Sequence, residues 1–165
     1  MSKIQHIKLY FSELFFDARN KTYLAARGAE MSHKQEAYAQ LTEDESEKEQ
    51  FRRSLSTAMA ECVEALYPYT KMAVQDNVET TDKLKEDIVY DITLSLPDGM
   101  SETTITLVTN LLHDYLVYRT LSDWYNLIGQ GSSDSWLLRA DASLEQIRIR
   151  MNARINRIRR TQTPF

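Results

Sequence analysis

The stretch Leu111-Leu112-His113-Asp114-Tyr115-Leu116-Val117-Tyr118-Arg119-Thr120-Leu121-Ser122-Asp123-Trp124-Tyr125 decides the fold. Ile105, Val108, Leu112, Tyr115, Leu116 and Arg119 recur at helical spacing, and Leu111, Tyr118, Leu121, Tyr125 and Ile128 widen the stripe around much of the circumference. A helix apolar on most sides is buried on most sides. Ser101 stands where an N-cap belongs, with Glu102 just inside it. The small polar turn Gly129-Gln130-Gly131-Ser132-Ser133 stops this helix, and Ser133 or Asp134 can cap the next. In that last helix Leu137, Ala140, Leu144, Ile147, Met151, Ile155 and Ile158 form a seam close to a heptad repeat. Arg148, Arg150, Arg154, Arg157, Arg159 and Arg160 cover the rest. Residues 101–160 are therefore read as a helical hairpin with a core half and a contact half.

Upstream of the hairpin the period changes. Ile88, Tyr90, Ile92, Leu94 and Leu96 alternate with Val89, Asp91, Thr93 and Ser95, so residues 86–96 read as a strand ended by Pro97-Asp98-Gly99. Its backbone groups need a partner. Residues 3–11, with Ile7, Leu9 and Phe11 on one face, are the candidate; left unpaired, residues 86–96 would offer an open edge to a neighbouring subunit.

Two further helices are expected. Leu14, Phe15, Ala18, Thr22 and Ala25 follow Ser12, a candidate N-cap, which predicts a short helix over 13–27 with Gly28 as its stop. Residues 28–41 show no clear period. Thr42-Glu43-Asp44-Glu45 is read as a capping box, Thr42 with Glu45, opening a helix whose core stripe is Phe51, Leu55, Ala58, Met59, Cys62, Val63 and Leu66. Helix-start chemistry accounts for the acidic cluster without a metal. Pro68 interrupts that helix near Leu66 or Tyr67, and a turn or two can resume over 69–79. The fold class expected is mainly α. A helical bundle of three long helices carries a short N-terminal helix and a small β element from residues 3–11 and 86–96. The 165 residues suit a single domain. Residues 1–28 form a strand-helix arm, 42–160 the bundle and 161–165 a short tail.

Composition narrows the function. No apolar run approaches the roughly 20 residues of a membrane span, and Met1-Ser2-Lys3-Ile4-Gln5-His6 lacks a signal-peptide core. The single Cys62 leaves no internal disulfide and fits a reducing compartment. The net charge of −4 is unevenly spread: residues 139–165 carry +5 and residues 1–138 carry −9. Such a bipolar chain can pack head to tail on copies of itself or dock a polyanion. The Arg148–Arg160 face and the acids Glu43, Asp44 and Glu45 are the candidate interface residues.

Motifs for chemistry are missing. There is no Walker loop, dinucleotide fingerprint, His-Glu-x-x-His pair or Cys-x-x-Cys pair. Gly129-Gln130-Gly131 follows a helix rather than a strand and lacks the phosphate-binding Lys, so it reads as a turn. His6, His33 and His113 are far apart in sequence, and adjacent His113 and Asp114 do not face each other on a helix. Cys62 sits within an apolar stripe, with no feature that would lower its pKa. The expectation is a non-enzyme without cofactors, metal or small-molecule substrate. A nucleic-acid role for the arginines remains an alternative, although no DNA-reading motif or interleaved aromatics accompany them. A bacterial helical adaptor or regulatory protein is the third reading.

One resemblance bears on this. The order is Leu14-Phe15-Phe16-Asp17-Ala18-Arg19-Asn20-Lys21-Thr22-Tyr23-Leu24, an acidic capped helix, the Ile88–Leu96 strand, the aromatic helix ending Asp123-Trp124-Tyr125, and a terminal helix ending Arg157-Ile158-Arg159-Arg160. It resembles small virion proteins of tailed phages and prophages of gut bacteria. In general plan it is similar to head–tail connector (adaptor) proteins, helical bundles that assemble as rings at the neck. The N-terminal strand-helix unit and the length of the Thr42–Leu66 helix depart from that plan. The resemblance implies a homo-oligomeric ring within a virion, made in the host cytoplasm and contacting portal or tail components. In that ring the strand edge or the N-terminal arm would pair between subunits.

Overall fold

A computed structural model describes residues 3–31, 40–70, 89–96, 99–129 and 132–152. The chain is mainly helical with a small two-stranded antiparallel sheet. The order is β1 (Lys3–Tyr10), α1 (Phe11–Met31), α2 (Glu45–Ala65), α3 (Tyr67–Thr70), β2 (Val89–Leu96), α4 (Glu102–Leu127) and α5 (Ser133–Asn152).

The two strands pair with each other, Ile7 opposite Ile92 and Leu9 opposite Tyr90. All four of these side chains are buried, with Leu94 and Leu96, while Ile4, Tyr10 and Val89 point out. This is the alternation of a sheet with one face on the core. The partner expected for this strand is the one it has: β2 is matched over its full length by β1, which satisfies one edge of its backbone groups, so β1 is not left free to pair with a neighbouring subunit in its place. Residues 86–88 lie outside the described residues, and Phe11 belongs to α1 rather than to the strand.

β1 runs directly into α1, so Ser12 lies inside the helix instead of capping it. At 21 residues α1 is as long as α2, which corrects the expected short N-terminal helix over 13–27. Gly28 does not stop it. Its φ is not left-handed, and nothing lies within 4 Å of where a Cβ would stand, so the residue continues the helix like any other. Four helices of 20 or more residues are therefore present among the described residues, not three.

The start of α2 also differs. Asp44 occupies the N-cap position without a side-chain cap bond, and Glu47, not Glu45, reaches back. Its Oε2 accepts from the Thr42 N–H at 2.6 Å and from the Thr42 hydroxyl at 2.8 Å. The reason is register: with the helix opening at Glu45, the third helical residue is Glu47, and that is the position from which a carboxylate can turn back. Thr22, fully buried, holds the approach to α2 against α1 by accepting from the Leu41 N–H at 3.2 Å. Pro68 acts as expected: α2 ends at Ala65, Leu66 caps it, and the single turn α3 follows, where a missing N–H costs nothing.

α4 is the central element and touches α1, α2 and α5. Ser101 caps it as expected, its Oγ accepting from the Thr104 N–H at 3.2 Å. Gly129, with φ of 70°, closes its end in the left-handed region. Ile105, Val108, Leu112, Tyr115, Leu116, Val117, Leu121, Trp124 and Tyr125 are all buried. Buried Thr120 satisfies its hydroxyl on the Leu116 carbonyl at 2.7 Å.

α5 returns along α4, but its inward seam is Trp136, Ala140, Ser143, Ile147 and Met151. The expected seam shifts by one position at its start: Leu137 is exposed and Leu144 only partly buried. Trp136 takes the inner place because its ring stacks on Tyr125 at 6.1 Å, while the Ser143 hydroxyl satisfies itself on the Arg139 carbonyl at 3.1 Å. Ile155 and Ile158 lie outside the described residues.

Candidate interaction surfaces

The residues singled out for contact fall at two places on the fold. Glu43, Asp44 and Glu45 lie at the N-terminal end of α2. Glu43 is ion-paired with Arg19 of α1, Asp44 accepts from the Ser46 hydroxyl at 3.0 Å, and Glu45 lies 3.5 Å from Lys48. The acids are thus partly compensated within the chain, yet all three remain exposed. A turn further on, the Arg52 and then the Arg53 guanidinium hold the Glu49 carboxyl below its usual range.

Arg148 lies at the other end of α2. Its Nη2 donates to the Ala65 carbonyl at 3.4 Å, one of the carbonyls that a helix end leaves without an intrahelical partner, and its Nη1 is 3.8 Å from Glu145. Tyr69 of α3 donates its hydroxyl to Asn152, closing the same corner. Arg150 is exposed and has no ion pair among the described residues. Arg154, Arg157, Arg159 and Arg160 lie outside them. A helix of 21 residues is about 30 Å long. The acidic group and Arg148 are therefore separated by roughly the length of α2.

Polar side chains cluster elsewhere in ways the sequence did not announce. Arg119 reaches across from α4 to α2 and holds Glu61 with two bonds, at 2.8 and 3.0 Å, while also pairing with Asp123 on its own helix. These bonds raise the guanidinium's pKa further still, against the opposing pull of burial. A planar fork on a carboxylate fixes orientation as well as charge, so this contact sets the register of α2 on α4. His113 does not work with Asp114. Its Nε2 lies 2.7 Å from Asp17 of α1, and Asp114 lies 3.6 Å from Lys21. Lys21 sits over the Tyr118 ring at 5.1 Å, and that ring packs on Trp136. The α1–α4 contact is thus polar along one side and aromatic along the other. On the outer sheet face His6 is 3.1 Å from the Thr93 hydroxyl and 3.6 Å from Asp91. His33 lies outside the described residues.

Neither Cys62 nor the buried Tyr115 beside it in the core is activated. Cys62 is fully buried, and burial pushes its thiol up to about 12. Burial, followed by Cys62 and Glu61, pushes the Tyr115 hydroxyl up to about 12 as well. Both shifts hold the groups protonated, away from reactivity. Native protein at pH 8 is therefore expected to leave Cys62 unmodified by a thiol-specific disulfide reagent, and unfolded protein to react fully. Fast labelling of the native chain would place Cys62 outside the core. Among the described residues no group of His, Cys, Asp and Glu is arranged to hold a metal ion, and no helix is long and apolar enough to cross a membrane.

Compared with protein-family models, curated proteins and solved structures, the chain finds no match. Its surfaces must be read on their own chemistry.

Proposed function

We propose that the chain is a structural subunit of a homo-oligomeric ring in a tailed-phage virion, the head–tail connector that joins the portal to the tail. The observation that carries this reading is the bipolar placement of charge. Acids gather where α2 begins and Arg148 stands where it ends, about 30 Å away. Like ends repel and unlike ends attract, so copies meet head to tail, and such heterologous contacts close into rings when the rotation permits. The resemblance of the aromatic helix and the Arg-rich terminal helix to connector proteins supports the assignment to a virion neck. Buried, protonated Cys62 and Tyr115 are in keeping with an architectural role.

The test is the mass of the full chain in solution, by sedimentation, as concentration rises and with portal protein added. A closed oligomer is the expected product, either of the chain alone or on the portal. A chain that stays monomeric in both conditions overturns the reading. Steeply salt-dependent DNA binding, lost on Arg154→Ala with Arg157→Ala, would assign the arginine face to nucleic acid instead.

A further inference from the structure

The outward sides of α1 and α5 carry matching seams. On α1 the residues opposite the core are Phe16, Asn20, Tyr23 and Arg27, spaced four, three and four apart. Leu24 flanks them. Phe16, Tyr23 and Leu24 are 55%, 49% and 63% exposed. On α5 the residues opposite its buried seam are Leu138, Ala142, Glu145 and Ile149, with the same spacing. Leu138 is 70% and Ile149 48% exposed. Large apolar side chains at heptad positions on a solvent face have no role in the monomer. The spacing is the one that lets a second helix lie along them with knobs in holes.

The two seams are complementary to each other rather than to themselves. The α1 seam sets its aromatic rings at positions where the α5 seam has small or aliphatic groups. The α1 seam ends in Arg27, whereas the α5 seam is flanked by Asp141 and contains Glu145; among the described residues Arg27 and Asp141 make no ion pair. We infer that the outward face of α1 in one copy docks antiparallel on the outward face of α5 in the next. This rests on the reading of the chain as an assembly subunit and names the surfaces that meet. In the antiparallel register Phe16 meets Ile149 of the neighbouring copy, Asn20 meets Glu145, Tyr23 lies over Ala142, and Arg27 lies over Leu138, from which its guanidinium reaches toward Asp141. The same register brings Glu13 and Glu43 level with the neighbour's Arg148 and Arg150, so the charge separation along α2 and the apolar seams act in one contact. A parallel register would set Arg27 on Ile149, between Arg148 and Arg150, and Glu13 beside Asp134, so that like charges meet. α1 and α5 are different surfaces of one chain, so the contact is heterologous and repeats around a ring.

The test uses two exposed substitutions in the full chain, Phe16→Lys on α1, which would face the neighbour's Arg148 and Arg150, and Leu138→Lys on α5, which would face the neighbour's Arg27, followed by sedimentation velocity. Circular dichroism is expected to be unchanged in both, since neither side chain is in the core. Each variant alone is expected to lose assembly, with association weakened roughly thirtyfold or more. Mixed one to one, they are expected to form a species of two chains and nothing larger. The intact α1 face of Leu138→Lys then sits on the intact α5 face of Phe16→Lys, and no other pair of intact faces is left. Arg27→Glu is expected to weaken assembly about threefold, with recovery in the double variant Arg27→Glu, Asp141→Arg. Variants that assemble as the wild type does would overturn these surfaces while leaving the assembly reading standing. A mixture that stays monomeric, beside a wild type that assembles, would overturn the heterologous pairing. A wild type that never assembles, alone or on the portal, overturns both.

Discussion

Replacing Tyr125 with Ala is expected to destabilise the fold by about 3–5 kcal/mol. Tyr125 is fully buried and is among the largest side chains that are. Its ring stacks on Trp136 of α5, nearly parallel at 6°, and meets Trp124 edge-on at 4.9 Å. Truncation removes the transfer free energy of the ring and leaves a cavity between two indoles too rigid to collapse into it. The aromatic pairs add roughly 0.5–1.5 kcal/mol beyond area alone. Set against a typical total of about 5–15 kcal/mol, such a loss takes a large share of the stability. In urea the midpoint is expected to fall by roughly 2 M with an unchanged slope. Tyr125→Phe keeps the ring and is expected to cost about 1 kcal/mol. A midpoint that barely moves in the Ala variant would mean that α4 and α5 are not joined through this cluster, and the hairpin would no longer be the centre of the fold.

That hairpin was the most legible part of the sequence, and the reasons are local. Ser101, the apolar circumference of residues 105–125 and Gly129 are all signals carried within a few residues of the structure they specify. The β2 alternation is legible for the same reason. The misreadings come where two local choices were of similar strength. Trp136 and Leu137 are both apolar neighbours, and only the stacking on Tyr125, distant in sequence, decides which turns inward. Ser143 looks like a surface residue until its hydroxyl is seen to satisfy itself on its own helix. Gly28 has the chemistry of a helix stop, but a glycine stops a helix only where the backbone turns left-handed, and here it does not. In the acidic run 43–49, Glu45 and Glu47 can each supply the backward-reaching carboxylate, and the choice depends on where the helix opens.

The polar contacts were less legible. Asp17–His113 and Glu61–Arg119 join residues 96 and 58 positions apart. No spacing rule relates such pairs before the helices are placed. For the interface, sequence reading singled out the Arg148–Arg160 face and the acids Glu43, Asp44 and Glu45. It did not find the outward seams of α1 and α5. Phe16, Tyr23 and Leu24 lie among apolar residues that do enter the core, and a stripe around most of a helix hides the part that faces out. What could have exposed it is a count of the circumference: α1 and α5 carry more apolar residues than one core face can accept.

Phe51→Ala tests the other end of the molecule and is expected to cost about 3–5 kcal/mol. Phe51, fully buried on α2, meets Phe15 edge-on at 5.4 Å and Phe11 at 6.2 Å; Phe11 and Phe15 stack at 5.8 Å. Phe11 is the residue at which β1 becomes α1, so this cluster fixes the sheet, α1 and α2 to one another. The ion pair Arg19–Glu43 and the Thr22–Leu41 bond tie α1 to the approach to α2, and Asp17–His113 and Lys21–Asp114 tie it to α4, but exposed pairs and single hydrogen bonds are each worth about 1 kcal/mol or less. They cannot hold α1 in place once the ring is gone. The melting temperature is expected to fall by roughly 8–16 °C in a chain of this size, and amide exchange is expected to quicken in α1 before it does in α4. Phe51→Leu, which fills most of the space, is expected to cost far less. The order of events separates two causes of lost assembly. If α1 presents the docking seam, Phe51→Ala loses association at temperatures where α4 and α5 are still folded, whereas Phe16→Lys loses it with the fold intact. Uniform unfolding of α1 and α4 in the Phe51 variant would show instead that α1 has no independent freedom. In that case its outward face would be as rigid as the core beneath it.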